Sequence, residues 1–173
     1  DLSITTGCIA FDSVDNIYVG DSTNHVVKKY DSNGTLITQW GSQGSGSNQF
    51  ESIDDFAIDT SDNVYVIDRS NNRIQKFDSS GNYITQWGSF GNDDGQFHNP
   101  INIAIDSSNH VFVIELYGNR VQKFSSNGAF LGKWGSIGTG NSQFDRSRGI
   151  AVDSTGNVYV GDTENGRIQE FDN

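Results

Sequence analysis

The sequence predicts an all-β fold, a propeller of four-stranded antiparallel blades, and three observations carry that prediction. First, the chain repeats on itself with a shift of 47 residues. Trp-Gly recurs at Trp40-Gly41, Trp87-Gly88 and Trp134-Gly135, and Gln-Phe at Gln49-Phe50, Gln96-Phe97 and Gln143-Phe144. An aspartate closing an apolar run recurs at Asp12, Asp59, Asp106 and Asp153. A fixed period in this range marks a solenoid, a propeller or an array. Second, the apolar runs are short, rich in β-branched and aromatic residues, and bounded by turn formers, which reads as strands rather than helices. Third, 20 glycines against one proline suit many tight turns between such strands.

The copy from Gln96 to Gly135 shows the elements in order. Ile101 to Asp106 is an apolar run ending in aspartate, and Ser107-Ser108-Asn109 make a turn. His110 to Glu115 follow with Val111, Phe112, Val113 and Ile114. The polar loop Leu116-Tyr117-Gly118-Asn119 leads into Arg120 to Phe124. Ser125-Ser126-Asn127-Gly128 form a second turn before Ala129 to Trp134. Four such strands make a small twisted sheet that is apolar on both faces and must stack against neighbours. Sheets stacked radially form a propeller whose first strands line a central channel. The recurring aromatics are the expected core between sheets. They are Tyr18, Tyr65, Phe112 and Tyr159; Tyr30, Phe77, Phe124 and Phe171; Phe50, Phe97 and Phe144; and Trp40, Trp87 and Trp134.

Composition narrows the function classes. The net charge is −11, from 22 acidic and 11 basic residues, which disfavours nucleic acid and anionic membranes as partners. No apolar run approaches the roughly 20 residues of a membrane span, so membrane insertion is not expected. Cys8 is the one cysteine, which excludes internal disulfides and a cysteine-rich zinc site. No targeting segment is visible, and an extracellular or cell-surface location is slightly favoured over a cytoplasmic one. Asn33-Gly34-Thr35 fits a glycosylation acceptor, although Asn-Gly is equally a turn signal.

The segment from Gly149 through Asp153-Ser154-Thr155-Gly156-Asn157-Val158-Tyr159-Val160 to Asp162, continuing to Asn165-Gly166-Arg167-Ile168-Gln169, resembles the NHL repeat. So does Gly95-Gln96-Phe97-His98-Asn99-Pro100, and the resemblance runs over essentially the whole chain. It implies NHL-type blades, usually six to a ring. It also implies two functional classes. One is a non-enzymatic scaffold for a protein or small ligand. The other is a metal-assisted lyase or hydrolase with its site at the channel mouth, which here would need Asp54, Asp55 or His98 to converge. RNA-binding members of the family use a basic face, against which the acidic balance argues.

Several repeated residues read as structural. Asp68, Glu115 and Asp162 each precede an arginine by five residues (Arg73, Arg120 and Arg167), a spacing that lets carboxylate and guanidinium meet across a turn. In the first copy Val26 replaces the arginine, leaving Asp21 without that partner. Asp12, Asp59, Asp106 and Asp153 suit hairpin turns, where a carboxylate bonds backbone amides. A calcium reading of Asp12 to Asn16 or of Asp59 to Asp62 lacks the glycine and distal glutamate of a calcium loop, so no cofactor is expected. His25, His98 and His110 sit at non-equivalent positions and do not form a ring of metal ligands. No catalytic residue is assigned, and a non-enzymatic role is favoured.

Function is then sought where copies differ, in the loops entering the first strand and those joining the second and third. Asp54 with Asp55, Asn102, and Arg146 with Arg148 diverge at the first set; Arg69 and the pair Leu116-Tyr117 diverge at the second. These eight residues are the candidate ligand- or partner-binding positions, with Asp54-Asp55 an acidic spot and Leu116-Tyr117 an apolar one. Drift in unconstrained loops would produce the same differences.

The chain reads as one propeller region over 1–173, with blades at 7–41, 54–88, 101–135 and 148–173, the last lacking its outer strand. Leu2 to Thr5 alternate as a strand would, but they lie closer to the first strand than the spacing of any other copy. About four blades leave three readings open: a piece of a larger propeller, an arc completed by another subunit through unpaired blade edges, or a four-bladed ring. An incomplete arc or fragment is favoured.

Overall fold

A computed structural model of the chain describes residues 7–172. Leu2 to Thr5, the segment considered for a closing strand, lies outside these residues. The first sheet contains β1 (Ile9–Phe11), β2 (Ile17–Asp21), β3 (Val26–Tyr30) and β4 (Leu36–Trp40). The second contains β5 (Ile53–Ile58), β6 (Val64–Asp68), β7 (Arg73–Phe77) and β8 (Tyr83–Trp87), with a 3-10 turn over Arg69–Asn71. The third contains β9 (Pro100–Ile105), β10 (Val111–Glu115), β11 (Arg120–Phe124) and β12 (Phe130–Trp134). The fourth has β13 (Gly149–Val152), β14 (Val158–Asp162) and β15 (Arg167–Phe171). Every pairing is antiparallel between sequence neighbours, so each sheet is a meander. The first strands stand side by side, β5 between β1 and β9, and β13 against β9.

The core lies between sheets. Tyr18, Val27 and Trp40 of the first sheet meet Phe56, Val64, Val66 and Phe77 of the second. Tyr65, Ile67 and Ile74 meet Ile103, Val111, Val113 and Phe124 of the third, and Phe112, Ile114 and Val121 meet Ile150, Val158 and Val160 of the fourth. The recurring aromatics repeat one geometry: Trp40 stands edge-on to Tyr18 at 6.2 Å, Trp87 to Tyr65 at 6.2 Å and Trp134 to Phe112 at 6.3 Å. Offset and edge-on pairs of this kind add about 0.5–1.5 kcal/mol beyond the area they bury.

Between sheets the linker folds back on itself. Phe50, Phe97 and Phe144 are fully buried and bridge in parallel to Gln43, Phe90 and Ile137. Each linker is clamped by the sheet that follows it. Arg73 pairs with Asp68 through Nε at 2.9 Å and donates through its terminal nitrogens to the carbonyls of Ser45, Gly46 and Gln49 at 2.7–2.9 Å. Gln75 donates to the Gln49 carbonyl at 2.6 Å and accepts from the Asn48 amide at 2.9 Å. Arg120 with Glu115 and Gln122, and Arg167 with Asp162 and Gln169, repeat the clamp on the next two linkers.

Asp21 has a partner after all. Lys28, at the position where other copies carry the clamping glutamine, reaches Asp21 at 2.7 Å, and Asn24 donates to the same carboxylate. A buried carboxylate needs a cation and hydrogen bonds wherever they come from; in this sheet the cation stands two residues further along β3 than the arginine of the other copies.

The hairpin aspartates behave as expected of turn residues. Asp12 Oδ1 accepts from the amides of Val14 and Asn16, and Asp59, Asp106 and Asp153 repeat the pattern. Burial pushes the Asp12 carboxyl up, but the bonds from Asn16, Lys29 and Val14 outweigh it and hold it at about 2. These aspartates also latch sheet to sheet. Lys29 joins Asp12 at 3.1 Å and donates to the Ser79 carbonyl of the next sheet at 3.2 Å; Lys76 does the same with Asp59 and Ser126.

The Trp-Gly pair has a steric cause. Gly88 holds φ at +102°, and a Cβ there would stand 2.5 Å from the Phe97 ring and 2.9 Å from the Asn72 carbonyl oxygen. Gly88→Ala is expected to cost at least roughly 1–3 kcal/mol, the strain of a non-glycine residue in that region. Urea denaturation checks it, and a loss under about 0.5 kcal/mol, the scale of an ordinary surface change, would contradict the steric reading.

Candidate functional site

The repeated backbone presents the same frame at each junction between sheets. The acid ending the second strand accepts the amide of the residue after the linker phenylalanine: Asp68 from Glu51, Glu115 from His98 and Asp162 from Asp145, at 3.0, 2.7 and 2.8 Å. A left-handed asparagine then joins neighbouring sheets, Asn72 accepting from the Asn99 amide and Asn119 from the Arg146 amide at 3.2 and 3.1 Å. The acid–amide bond is common to all three junctions and the asparagine bond to the last two, His25 holding the left-handed place in the first, whereas the side chains displayed differ at every junction.

At the junction of the second and third sheets the frame displays aromatic rings. A cleft of about 460 Å³ is lined by Arg69, Ser70 and Asn72 from one loop, and by Phe90, His98, Asn99 and Tyr117 from the other side. That volume lies within the roughly 300–1,000 Å³ usual for small-molecule sites. The His98 ring stands edge-on to Phe90 at 5.2 Å and to Tyr117 at 5.7 Å, so the three rings form one ledge. Phe90 and Tyr117 remain 68% and 53% exposed. The side-chain carbonyl of Asn99 is buried and has no hydrogen-bond partner. The corresponding residues are Gln43, Glu51 and Ser70 one junction earlier, and Ile137, Asp145 and Glu164 one junction later.

The sequence candidates separate into groups. Arg69 and Tyr117 line the cleft, whereas Leu116 is buried beneath it and donates its amide to the Asn99 carbonyl. Arg69 also lines a second cleft of about 390 Å³ with Gly7, Ser22, Ser52, Ile53 and Asp54, and its Nε lies 3.1 Å from Asp54. Burial pushes the Asp54 carboxyl up and Arg69 pulls it down.

Asp55 and Asn102 occupy equivalent places and clasp one sheet to the next. Asp55 Oδ2 accepts from Asn102 Nδ2 at 2.6 Å and from the Ile103 amide at 3.0 Å, and Asn102 Oδ1 accepts from the Ile150 amide at 2.9 Å. Arg146 and Arg148 are exposed in the loop before β13, where they engage their neighbours through backbone amides. Phe90 and Asn99 were not among the site candidates, and His98 entered only as a residue that a metal-assisted site would need. Comparing the linker copies in register, Gln43, Phe90, Ile137 and Glu51, His98, Asp145, carries the signal that finds Phe90 and His98. The orphaned carbonyl of Asn99 is visible only in three dimensions.

Among known proteins, residues 9–87 match a family described as a 6-bladed beta-propeller, and residues 144–171 match the NHL repeat. The chain belongs to the NHL-repeat β-propeller family. No curated protein sequence matches it. Similar solved structures include a streptogramin B lyase at 14% identity and a TM-score of 0.73, covering 99% of this chain and 56% of that one. Virginiamycin B lyase from Staphylococcus aureus is similar at 15% identity and a TM-score of 0.67, with 95% and 54% covered. A structural genomics protein from Bacteroides thetaiotaomicron aligns at 17% identity and a TM-score of 0.76, with 94% and 46% covered. The NHL chain thus spans about half the length of these structures, and the likeness is one of fold.

The Asp55 clasp has a pH signature. Burial pushes its carboxyl up from an ordinary 3.8 to about 6, against the bonds from the Ile103 and Phe56 amides and from Asn102. The folded state therefore holds a proton that the unfolded chain releases, and this contribution to stability is lost as pH rises from about 4 to about 6. Asp55→Asn removes it. Relative to the parent, the variant is expected to gain roughly 2–3 kcal/mol between pH 4 and pH 7. Urea denaturation at both pH values measures the gain, and a difference independent of pH would contradict it.

Proposed function

We propose that this NHL propeller region is a non-enzymatic binding scaffold and that its ligand or partner is held in the cleft between the second and third sheets. The observation that carries the reading is the ledge of Phe90, His98 and Tyr117. Three rings share a surface at one junction, where the equivalent positions of the two neighbouring junctions hold no aromatic residue. Exposed aromatics rimmed by polar groups are the usual composition of a recognition site. The net charge of −11 supports a protein or small molecule over nucleic acid.

The alternative, a metal-assisted lyase or hydrolase at the channel mouth, draws support from the lyases among the similar structures, which carry it as far as fold. Its residues are otherwise engaged: Asp54 by Arg69, and Asp55 by Asn102 and the Ile103 amide. Among the described residues no three His, Cys, Asp or Glu side chains gather as a ligand set.

A fragment screen read by ¹H–¹⁵N chemical shifts separates the two. Shifts concentrated on residues 69–72, 90, 98–99 and 117, and weakened about tenfold by Tyr117→Ala, are the expected outcome. Shifts spread evenly over all junctions, or centred on Asp54 and Asp55, would contradict it.

A further inference from the structure

The polar and charged groups around the aromatic ledge narrow the class of ligand. Arg69 is the cationic side chain in the lining, and its Nε is already paired with Asp54 at 3.1 Å. Glu115, whose carboxylate accepts the His98 amide under the cleft, is paired with Arg120. No carboxylate lines the cleft, so a cationic ligand would find rings but no counter-charge. An anionic ligand would meet the field of a chain carrying −11, with its one cation already shared. The site is electrically balanced, and an uncharged ligand fits it.

Hydrogen-bonding groups then ask for hydroxyls. The buried carbonyl of Asn99 has no donor, a state that costs about 1–3 kcal/mol until one arrives. A ligand O–H supplies that donor once the Asn99 amide, closed off from solvent in this structure, turns toward the cleft. The Arg69 guanidinium, which lines the cleft, carries further N–H groups that can donate to a ligand oxygen. Flanking rings offer flat, electron-rich faces that attract polarised C–H groups. An uncharged ring with an apolar C–H face and a rim of hydroxyls meets all three demands at once.

From these observations we infer that the cleft formed by Arg69, Phe90, His98, Asn99 and Tyr117 binds a neutral saccharide, Tyr117 and Phe90 stacking on the sugar ring and Asn99 accepting a hydroxyl. The inference rests on the reading of this cleft as the binding site.

The test titrates the full 173-residue chain with cellohexaose, chitohexaose, mannohexaose and, as a ring-stacking ligand of another class, octaproline. Shifts of the ¹H–¹⁵N spectrum are followed for the parent, Tyr117→Ala and Tyr117→Phe. Expected is saturation by at least one hexasaccharide below about 5 mM, with shifts confined to the cleft residues. Tyr117→Ala should weaken it about tenfold, while Tyr117→Phe, which keeps the ring, stays within about twofold. If fragments occupy the cleft but no hexasaccharide does, or if octaproline alone saturates it, the saccharide class is overturned and the cleft reading stands. Saccharide binding that ignores Tyr117→Ala and shifts other residues overturns both.

Discussion

The interaction on which the structure depends is the clamp of a buried acid, an arginine and a glutamine on the linker of the preceding sheet. In the second sheet Asp68 holds Arg73, and Arg73 and Gln75 donate to the carbonyls of Ser45, Gly46 and Gln49. A linker with so many glycines and polar residues has no hydrophobic reason to adopt one path. The guanidinium gives it one, because its rigid fork, held by Asp68 through Nε, donates to three linker carbonyls that would otherwise lack this partner. Once the linker is fixed, its phenylalanine is driven into the junction, and Phe97 meets Phe124 at 5.6 Å. The ion pair thus does little for stability by attraction alone; its worth is that it orders chain which the core then grips.

The same clamp sets up the candidate site. Glu115 divides its carboxylate between Arg120 and the His98 amide, which fixes the backbone that carries His98 and Asn99. The 3-10 turn over Arg69–Asn71 and the left-handed Asn72 fix the opposing lip. Rings and polar groups on that frame can vary without loss of fold, since none of them belongs to the clamp or the core. A repeat protein gains a distinct site in this way, one junction differing in side chains while sharing with its neighbours the buried linker phenylalanine and the bond from the linker amide to the acid.

Much of the fold was legible because each repeated residue has a local reason that spacing alone reveals. Asp12 and its equivalents precede turn residues, Arg120 follows Glu115 by one hairpin, and Trp-Gly precedes Gln-Phe at a constant interval. Asp21 marks the limit of spacing: a pattern search sees that Val26 is not arginine, and it does not see that Lys28 on the same strand reaches the same carboxylate. The site was legible only in part. Arg69 and Tyr117 stand in loops that visibly diverge, but Asp55 and Asn102 diverge too and turn out to bond the next sheet's backbone. Residues that bind and residues that clasp look alike in sequence when both sit where copies differ. What separates them is whether their polar atoms already have partners, and only the packed structure supplies that.

The most direct test of the clamp is urea denaturation of Arg120→Ala. Removing the guanidinium leaves Glu115 buried without its cation and the carbonyls of Asn92 and Asp93 without their donor, while the Gln96 carbonyl keeps Gln122 alone. If the clamp orders the linker, the variant loses about 3–5 kcal/mol, and linker amides of residues 92–97 exchange hydrogen with solvent well before those of β10 and β11. A loss below about 1 kcal/mol, with linker protection unchanged, would show that packing of Phe97 fixes the linker without the arginine.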